Sequence, residues 1–405
     1  MSDLLRLATA GSVDDGKSTL IGRLLYDSKA VLADQLAHVE ARSRDGLDLA
    51  LLTDGLRAER EQGITIDVAY RSFATPRRRF ILADCPGHAQ YTRNMVTGAS
   101  TADLALLLVD ARAGLTEQSR RHAAIAALLH MHHVVVAVNK MDLVGFSEEA
   151  FDGVVREVLD LGARVGLHDI DFIPISALHG DNVVERSANT PWYGGPPLLE
   201  RLETAPAGEP PNALPARLPI QLVLRADDGR WAAGRLAAGT LRPGDEVVVL
   251  PSGVRTRVAA VREAGGERDV IQAPESVSVR LEDEVDLARG ELLAAADDPP
   301  ALRRELAATV CWLGDAEGRP GARYLIKHGT RTLPARLDGV EGRLDFATLD
   351  WPAADGLALN DIAHVRLRLG GELAVDPYAR SHTMGAFILV DEATNDTVAA
   401  GMIAP

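Results

Sequence analysis

Cysteine, aromatic residues and long apolar runs are all scarce in this chain of 405 residues. The 2 cysteines, Cys85 and Cys311, are too few for a disulfide framework and predict free thiols in a reducing compartment. No apolar run approaches the ~18 residues of a membrane-spanning helix. No cationic start followed by an apolar run precedes the first motif, so we expect no signal peptide. These absences predict a soluble cytoplasmic protein without a membrane partner.

Positive charge is also in short supply. The chain has 43 Lys and Arg against 58 Asp and Glu, which gives a formal net charge of −15. Binding to nucleic acid requires cations that neutralise phosphates, so we expect no nucleic-acid partner for the surface as a whole. The net charge does not exclude a local basic face. With 4% aromatic but 46% hydrophobic residues, the cores are expected to consist of Leu, Val, Ala and Ile.

Five short motifs follow one another in the first half of the chain. Their order is that of a guanine-nucleotide switch, beginning with a loop of the form G-x-x-x-x-G-K-[ST]. The five motifs are Gly11–Ser18, Gly63–Ile66, Asp84–His88, Asn139–Asp142 and Ser176–Leu178.

The first three motifs predict a site for the phosphates of a nucleotide. A glycine-rich loop between a strand and a helix surrounds a phosphate with backbone N–H groups, and Lys17 is expected between the β- and γ-phosphates. Ser18, Thr65 and Asp84 are predicted to hold Mg²⁺, with Asp84 acting through water. The Gly87 N–H is expected to sense the γ-phosphate, as in other nucleotide switches.

The last two motifs predict that the base is guanine. The Asp142 carboxylate can accept hydrogen bonds from the N1 and N2 donors of guanine, whereas adenine lacks that pair of donors. The stem of Lys140 can pack across the base. A backbone N–H of Ser176 or Ala177 can donate to O6. Asn139 is the remaining residue of the motif Asn139–Asp142 that is predicted to take part in base recognition.

A histidine directly after Asp-x-x-Gly suggests how GTP is hydrolysed. His88 is the candidate for orienting the attacking water, and apolar Val13 and Ile64 could screen it until a partner opens access. The predicted catalytic residues are His88, Lys17 and Thr65. The residues predicted to bind GTP are Gly11, Ser12, Val13, Asp14, Asp15, Gly16, Lys17, Ser18, Thr19, Asp84, Cys85, Pro86, Gly87, His88, Asn139, Lys140, Met141, Asp142, Ser176, Ala177 and Leu178.

The hydrophobic pattern changes once along the chain. Residues 1–205 alternate apolar strands with helical patterns, which predicts a doubly wound α/β domain with a mostly parallel sheet, a P-loop GTPase domain. Residues 206–219 form a proline-rich linker. Short Val-rich segments with frequent turn signals then predict two small β-barrel domains, at 220–298 and 301–405.

The motifs and their flanking sequences resemble the translation-factor class of GTPases. Within that class the chain resembles the large GTPase subunit of bacterial sulfate adenylyltransferase, the CysN type. The segments that carry the resemblance are residues 25–29, 54–70, 88–95, 385–391 and 394–403.

The resemblance implies two cofactors, GTP and Mg²⁺, and a partner. It implies that GTP hydrolysis is coupled to the reaction of ATP and sulfate to adenosine 5′-phosphosulfate and pyrophosphate. That second reaction would take place on a small catalytic subunit (CysD type) in a hetero-oligomer, the simplest form being a heterodimer. Some relatives carry a fused adenylylsulfate kinase. A second phosphate loop does not occur after residue 18, so that activity is not implied.

Two other functions fit the same motifs. One is a translation elongation factor that binds aminoacyl-tRNA, which predicts basic barrel faces. The other is a stand-alone regulatory GTPase, which predicts no stable catalytic partner.

Overall fold

The computed structural model describes residues 3–12, 14–29, 49, 67–86, 91–131, 133–206, 211–227 and 229–405. Four of the residues predicted to bind GTP or Mg²⁺ lie outside these ranges, namely Val13, Thr65, Gly87 and His88, and so does Ile64 of the predicted apolar screen. Compactness divides the chain into two units. The first is Met1–Gly208 with Asp345–Asp350, and the second is Glu209–Leu344 with Trp351–Pro405.

A six-stranded sheet and its helices form the first unit. The strands are β1 (Asp3–Gly11), β2 (Ala69–Ala74), β3 (Arg78–Asp84), β4 (Leu104–Asp110), β5 (His133–Asn139) and β6 (Ile170–Pro174). The helices are α1 (Lys17–Asp27), α2 (Thr92–Ala99), α3 (Glu117–Leu128), α4 (Glu148–Val165) and α5 (Leu198–Thr204). The sheet order is β2-β3-β1-β4-β5-β6, parallel except for the antiparallel pair β2–β3.

Burial on both faces explains the continuous apolar runs of the central strands. Every residue of β4 and β5 is buried, as expected for parallel strands covered on both sides. In β1, Leu5 and Leu7 belong to the core that includes α1 and α5. Ala8 and Ala10 line a small apolar space of about 10 Å³ with residues of α2 and α3. The α/β fold predicted for this part of the chain is confirmed.

The parallel arrangement brings the motifs to one edge of the sheet. Thr9 of β1 pairs with Asp84 of β3, and Asp110 of β4 pairs with Asn139 of β5. Because the carboxyl ends of these strands meet there, the loops that follow them meet as well.

The second unit begins with a sheet of short antiparallel strands. They are β7 (Arg217–Pro219), β8 (Leu222–Ala226), β9 (Gly229–Arg235), β10 (Thr240–Leu241), β11 (Glu246–Leu250), β12 (Val254–Glu263), β13 (Gly266–Arg268), β14 (Ile271–Gln272), β15 (Ser276–Leu281) and β16 (Leu292–Ala295). The main order is β7-β16-β11-β12-β15-β9-β8, with β13 beside β12 and a separate pair β10–β14. Strands β7 and β8 lie at opposite ends of this order and are joined only by Ile220 and Gln221, so this two-residue segment connects the two ends of the sheet order.

A closed barrel completes the second unit. Its strands are β17 (Ala301–Trp312), β18 (Arg323–His328), β19 (Arg331–Arg343), β20 (Ile362–Val375), β21 (Ala386–Val390) and β22 (Thr397–Ile403), and a short helix α6 (His382–Gly385) precedes β21. The order is β17-β20-β19-β18-β21-β22. In β18 the inward residues Tyr324, Ile326 and His328 alternate with more accessible ones, as in a strand with one buried face. The predicted class, a GTPase domain followed by small β-barrels, is confirmed.

A buried ion pair connects the two β-rich parts of this unit. The Arg217 guanidinium donates to both carboxylate oxygens of Asp376, with Nε–Oδ2 at 2.8 Å and Nη2–Oδ1 at 3.2 Å. The two side chains are 2% and 4% exposed. Arg380 also approaches Asp376, at 3.7 Å. The second unit therefore holds a desolvated charge pair that requires both partners.

Cys85 and Cys311 are both free and buried, and burial raises the thiol pKa of each to about 12. Within the described ranges, no helix has the length and apolar character needed to cross a membrane.

Candidate nucleotide-binding site

The loop between β1 and α1 has a backbone that requires glycine at its end. Gly16 caps α1 with φ +92°, a left-handed conformation that side chains disfavour. A Cβ on Gly16 would also lie 2.5 Å from Nδ2 of Asn139. The N-terminus of α1, with Lys17, Ser18 and Thr19 in its first turn, directly follows this glycine. Free N–H groups and a positive helix end make this an anion-binding position.

The Lys17 side chain is buried and bonds to the phosphate loop. Its Nζ donates to the Gly11 carbonyl at 3.1 Å, and the residue is 8% exposed. Burial lowers the pKa of Lys17, while the nearby carboxylates of Asp84 and Asp15 oppose that shift. The ammonium is thus held inside the loop, where a phosphate would have little competition from water.

Asp15 bonds to the loop itself. Its Oδ2 accepts the Ser12 N–H at 2.6 Å, and the residue is 4% exposed. Burial raises the pKa of Asp15 to about 6, although the Ser12 N–H and the charge of Lys17 favour the ionised form. The carboxylate thereby fixes the shape of the phosphate loop through its backbone.

Asn139 joins three of the motifs. Its Nδ2 donates to the Asp15 carbonyl at 2.7 Å, and its Oδ1 accepts the Ala177 N–H at 2.9 Å. Both bonds are buried. Since the Ala177 N–H is engaged here, the Leu178 N–H, which has no partner among the described residues, is the available donor in that loop.

Lys140 is fixed by two oxygens. It adopts a left-handed backbone with φ +63°, and its Nζ donates to the Asp14 carbonyl and lies 2.9 Å from Oδ2 of Asp110. Arg112 binds the same Asp110 carboxylate, with Nη2–Oδ2 at 2.7 Å. Burial alone would raise the pKa of Asp110, but the hydrogen bonds from Arg112 and Lys140 outweigh burial and lower it. The motif pattern did not identify Asp110 or Arg112.

The other predicted residues have different environments. Asp84, at the end of β3, is 4% exposed, and its Oδ1 accepts the Thr9 hydroxyl at 3.2 Å. The Asp142 side chain is 16% exposed and lies 3.9 Å from Nε2 of His179. Cys85, Pro86 and Met141, which are also assigned to GTP binding, are buried as well.

Helix α3 contributes two contacts that the motifs did not reveal. The Ser12 hydroxyl donates to Oε1 of Gln118 at 2.6 Å, and the Gly11 N–H donates to Nδ1 of His122 at 3.0 Å. Burial lowers the pKa of His122 to about 3, aided by the positive charges of Lys17 and Arg121. The imidazole is therefore neutral and can accept through Nδ1. The i, i+4 spacing puts both residues on one helix face, but sequence alone does not show what that face contacts.

The described residues offer suitable ligands for Mg²⁺. The Ser18 hydroxyl and the Asp84 carboxylate supply the hard oxygen atoms that Mg²⁺ prefers, while Thr65 lies outside the described ranges. Asp84 is close enough to Lys17 to influence its pKa, so a carboxylate lies beside the phosphate loop. Among described residues, no group of three or more His, Cys, Asp or Glu side chains could hold a metal ion.

Comparison with known proteins places these motifs in a family. The chain matches the elongation factor Tu GTP binding domain over residues 2–218 and the GTP-eEF1A C-terminal domain-like family over residues 305–404. It is 55% identical to the bifunctional enzyme CysN/CysC of Mycobacterium tuberculosis, over 100% of this chain and 67% of that protein. It is 49% identical to sulfate adenylyltransferase subunit 1 of Laribacter hongkongensis, over 99% of this chain and 85% of that protein. A solved structure of Sup35 complexed with GDP aligns with a TM-score of 0.46 and 25% identity, covering 100% of this chain and 94% of that one.

Proposed function

Because the chain belongs to the sulfate adenylyltransferase subunit 1 family, with an elongation factor Tu GTP binding domain, we propose that it is the GTPase subunit of that enzyme. GTP and water are converted to GDP and phosphate on this chain. ATP and sulfate are converted to adenosine 5′-phosphosulfate and pyrophosphate on a partner catalytic subunit of the CysD type. The phosphate–sulfate anhydride is costly to form, so GTP hydrolysis draws an unfavourable equilibrium toward product.

One observation carries the proposal. Asn139 links the phosphate loop to the loop Ser176–Leu178 through two buried hydrogen bonds, in a chain similar over 99–100% of its length to proteins with this name. The geometry supports a GTP site, and the full-length similarity supports the sulfate reaction. The elongation-factor alternative has less support, because it rests on the domain family alone.

The chain's own residues have distinct tasks in this proposal. Lys17 neutralises charge between the β- and γ-phosphates, and the N–H groups at the start of α1 bind phosphate oxygens. Asp142 accepts from N1 and N2 of guanine. His88, assigned from its position after Asp-x-x-Gly, orients the water that attacks the γ-phosphorus.

A metal ion belongs to the same proposal. Ser18, Thr65 and Asp84 would hold Mg²⁺, which neutralises phosphate charge when it is bound. The partner subunit and a cytoplasmic location are part of the proposal as well, since the reaction needs a second active site and the two thiols are free and buried.

The decisive experiment measures both reactions in one mixture. The chain is purified with its catalytic partner from the native source, and pyrophosphate release from ATP and sulfate is followed with and without GTP. We expect GTP to increase adenosine 5′-phosphosulfate formation and to be hydrolysed at the same time. Tight tRNA binding without a GTP-dependent increase would overturn the proposal in favour of the elongation-factor function.

Two variants test the assigned roles separately. Asp142→Asn should shift the preference from GTP toward xanthosine triphosphate, because xanthine offers an oxygen where guanine has its N2 amine. An unchanged preference for GTP would disprove base reading by Asp142. His88→Ala should retain GTP binding and lose hydrolysis stimulated by the partner, and wild-type hydrolysis in this variant would remove His88 from the mechanism.

A further inference from the structure

Arg23 binds the base-recognition loop from the helix that follows the phosphate loop. It lies in α1, six residues after Lys17, and its side chain is 19% exposed. Its Nε donates to the Ala177 carbonyl at 3.2 Å, and its Nη2 donates to the Leu178 carbonyl. Its Nη1 lies 3.8 Å from Oδ1 of Asp27. One guanidinium thus holds two successive carbonyls of the loop Ser176–Leu178.

The first of these bonds fixes a peptide plane. The Ala177 carbonyl and the Leu178 N–H belong to the same planar peptide unit, and in a trans peptide they point in opposite directions. A carbonyl held toward α1 therefore directs the Leu178 N–H away from α1. Asn139 holds the preceding N–H, that of Ala177, from another side. The orientation of the Leu178 N–H is determined by these two contacts.

We propose that Arg23 is a positioning residue for guanine recognition, which aims the Leu178 N–H at O6 of the base. The inference rests on the proposed GTP site and adds a specificity determinant outside the five motifs. Asp142 reads the N1 and N2 side of guanine, and the Leu178 N–H reads the O6 side. Arg23 touches neither the base nor the phosphates and acts only through the peptide that it orients.

The geometry requires an arginine. A guanidinium presents several donors in one rigid plane and can hold two neighbouring carbonyls together, whereas an ammonium group is a compact charge without that fork. Lysine at this position would keep the positive charge and lose the fixed orientation of the peptide. Charge and orientation can therefore be separated by substitution.

The experiment compares nucleotides that differ at one edge of the base. Dissociation constants of GTP, 6-thio-GTP and inosine triphosphate are measured by calorimetry for the full-length wild type, Arg23→Met and Arg23→Lys. The thione in 6-thio-GTP is a poorer acceptor at position 6, and inosine lacks the N2 amine. Asp27→Asn is the control, because it removes the other partner of Arg23 and leaves the loop contacts in place.

We expect Arg23→Met and Arg23→Lys to bind GTP about tenfold more weakly than the wild type. Their preference for GTP over 6-thio-GTP should fall toward one, while their preference for GTP over inosine triphosphate stays at the wild-type value. Asp27→Asn should match the wild type in both ratios. Because both nucleotides of a ratio are measured on one preparation, a misfolded fraction does not alter the ratio.

Other outcomes overturn the inference. An unchanged preference for GTP over 6-thio-GTP in Arg23→Met would reduce Arg23 to a structural contact, and wild-type ratios in Arg23→Lys would show that charge alone suffices. Failure of the wild type to bind GTP would instead refute the proposed function on which the inference rests.

Discussion

Replacing Asn139 by alanine should separate the phosphate site from the base site. The wild-type amide makes two buried hydrogen bonds, to the Asp15 carbonyl at 2.7 Å and from the Ala177 N–H at 2.9 Å. A buried polar group left unpaired costs about 1–3 kcal/mol. The substitution leaves the Asp15 carbonyl and the Ala177 N–H without their partner. Both groups lie in loops where water can partly replace the lost hydrogen bond, so the lower end of that range applies to each. A loss of about 2–3 kcal/mol corresponds to GTP dissociation constants raised roughly 30- to 150-fold.

The assay is calorimetric titration of GTP and GDP into the purified full-length protein. Asn182→Ala is a matched control, because Asn182 is also buried and donates to the Pro174 carbonyl and the Thr190 hydroxyl, both at 2.8 Å. It removes those two bonds and a third, accepted from the Ser187 N–H at 2.8 Å, from a turn without a bond to the phosphate loop, so it should lower the melting temperature and change GTP affinity less than threefold. Equal losses of affinity in both variants would refute the reasoning, since they would show only general destabilisation of the domain.

Three further predictions concern charged and titratable groups. Arg217→Met should lower the free energy of unfolding by about 3 kcal/mol in urea titrations monitored by tryptophan fluorescence, the lower end of the range for a broken buried pair because Arg380 stays 3.7 Å from Asp376, and Arg217→Met with Asp376→Leu should recover most of it; no recovery would refute this explanation. His122 is neutral in the fold, with a pKa of about 3 against an ordinary 6.5, so stability should fall below pH 6.5 by up to ~1.4 kcal/mol per pH unit until about pH 3. His122→Gln should flatten that dependence in thermal melts between pH 4 and 7, and an unchanged slope would contradict it. Asp110→Asn should weaken GTP binding about tenfold by releasing Lys140, measured by nucleotide titration; wild-type affinity would show that Lys140 needs no anchor.

Much of the fold could be predicted because its signals are local. The continuous apolar runs of β4 and β5 have the pattern of buried parallel strands, and the structure buries every residue of both. The proline-rich segment and the change to short Val-rich strands predicted the β-rich part of the chain. The helix predicted to follow the glycine-rich loop is α1, which begins at Lys17.

The parts that could not be predicted depend on contacts between distant segments. Nothing near Arg23 in the sequence indicates that its guanidinium reaches the Ala177 carbonyl, more than 150 residues away. Likewise, the helical spacing of Gln118 and His122 specifies a shared face but no partner. Such residues contact backbone groups, and a backbone carbonyl or N–H is present whatever the residue type. A motif search therefore cannot find these contacts. The roles assigned to the residues of the candidate site, including Thr65 and His88, stay predictions.

The short segment of Ile220 and Gln221 between β7 and β8 has a consequence for synthesis of the chain. Because β7 pairs with β16, the edge of β7 that bonds to β16 has its neighbour only after Leu292–Ala295 has been made, although Arg217 also bridges Ala238. During translation β8 and β9 can form a local hairpin early. The edge of β7 that pairs with β16 has no partner strand until all strands in between have been synthesised. A ribosome that stalls before β16 therefore exposes an incomplete, partly apolar sheet. Slow translation at that point would favour binding by a chaperone over folding.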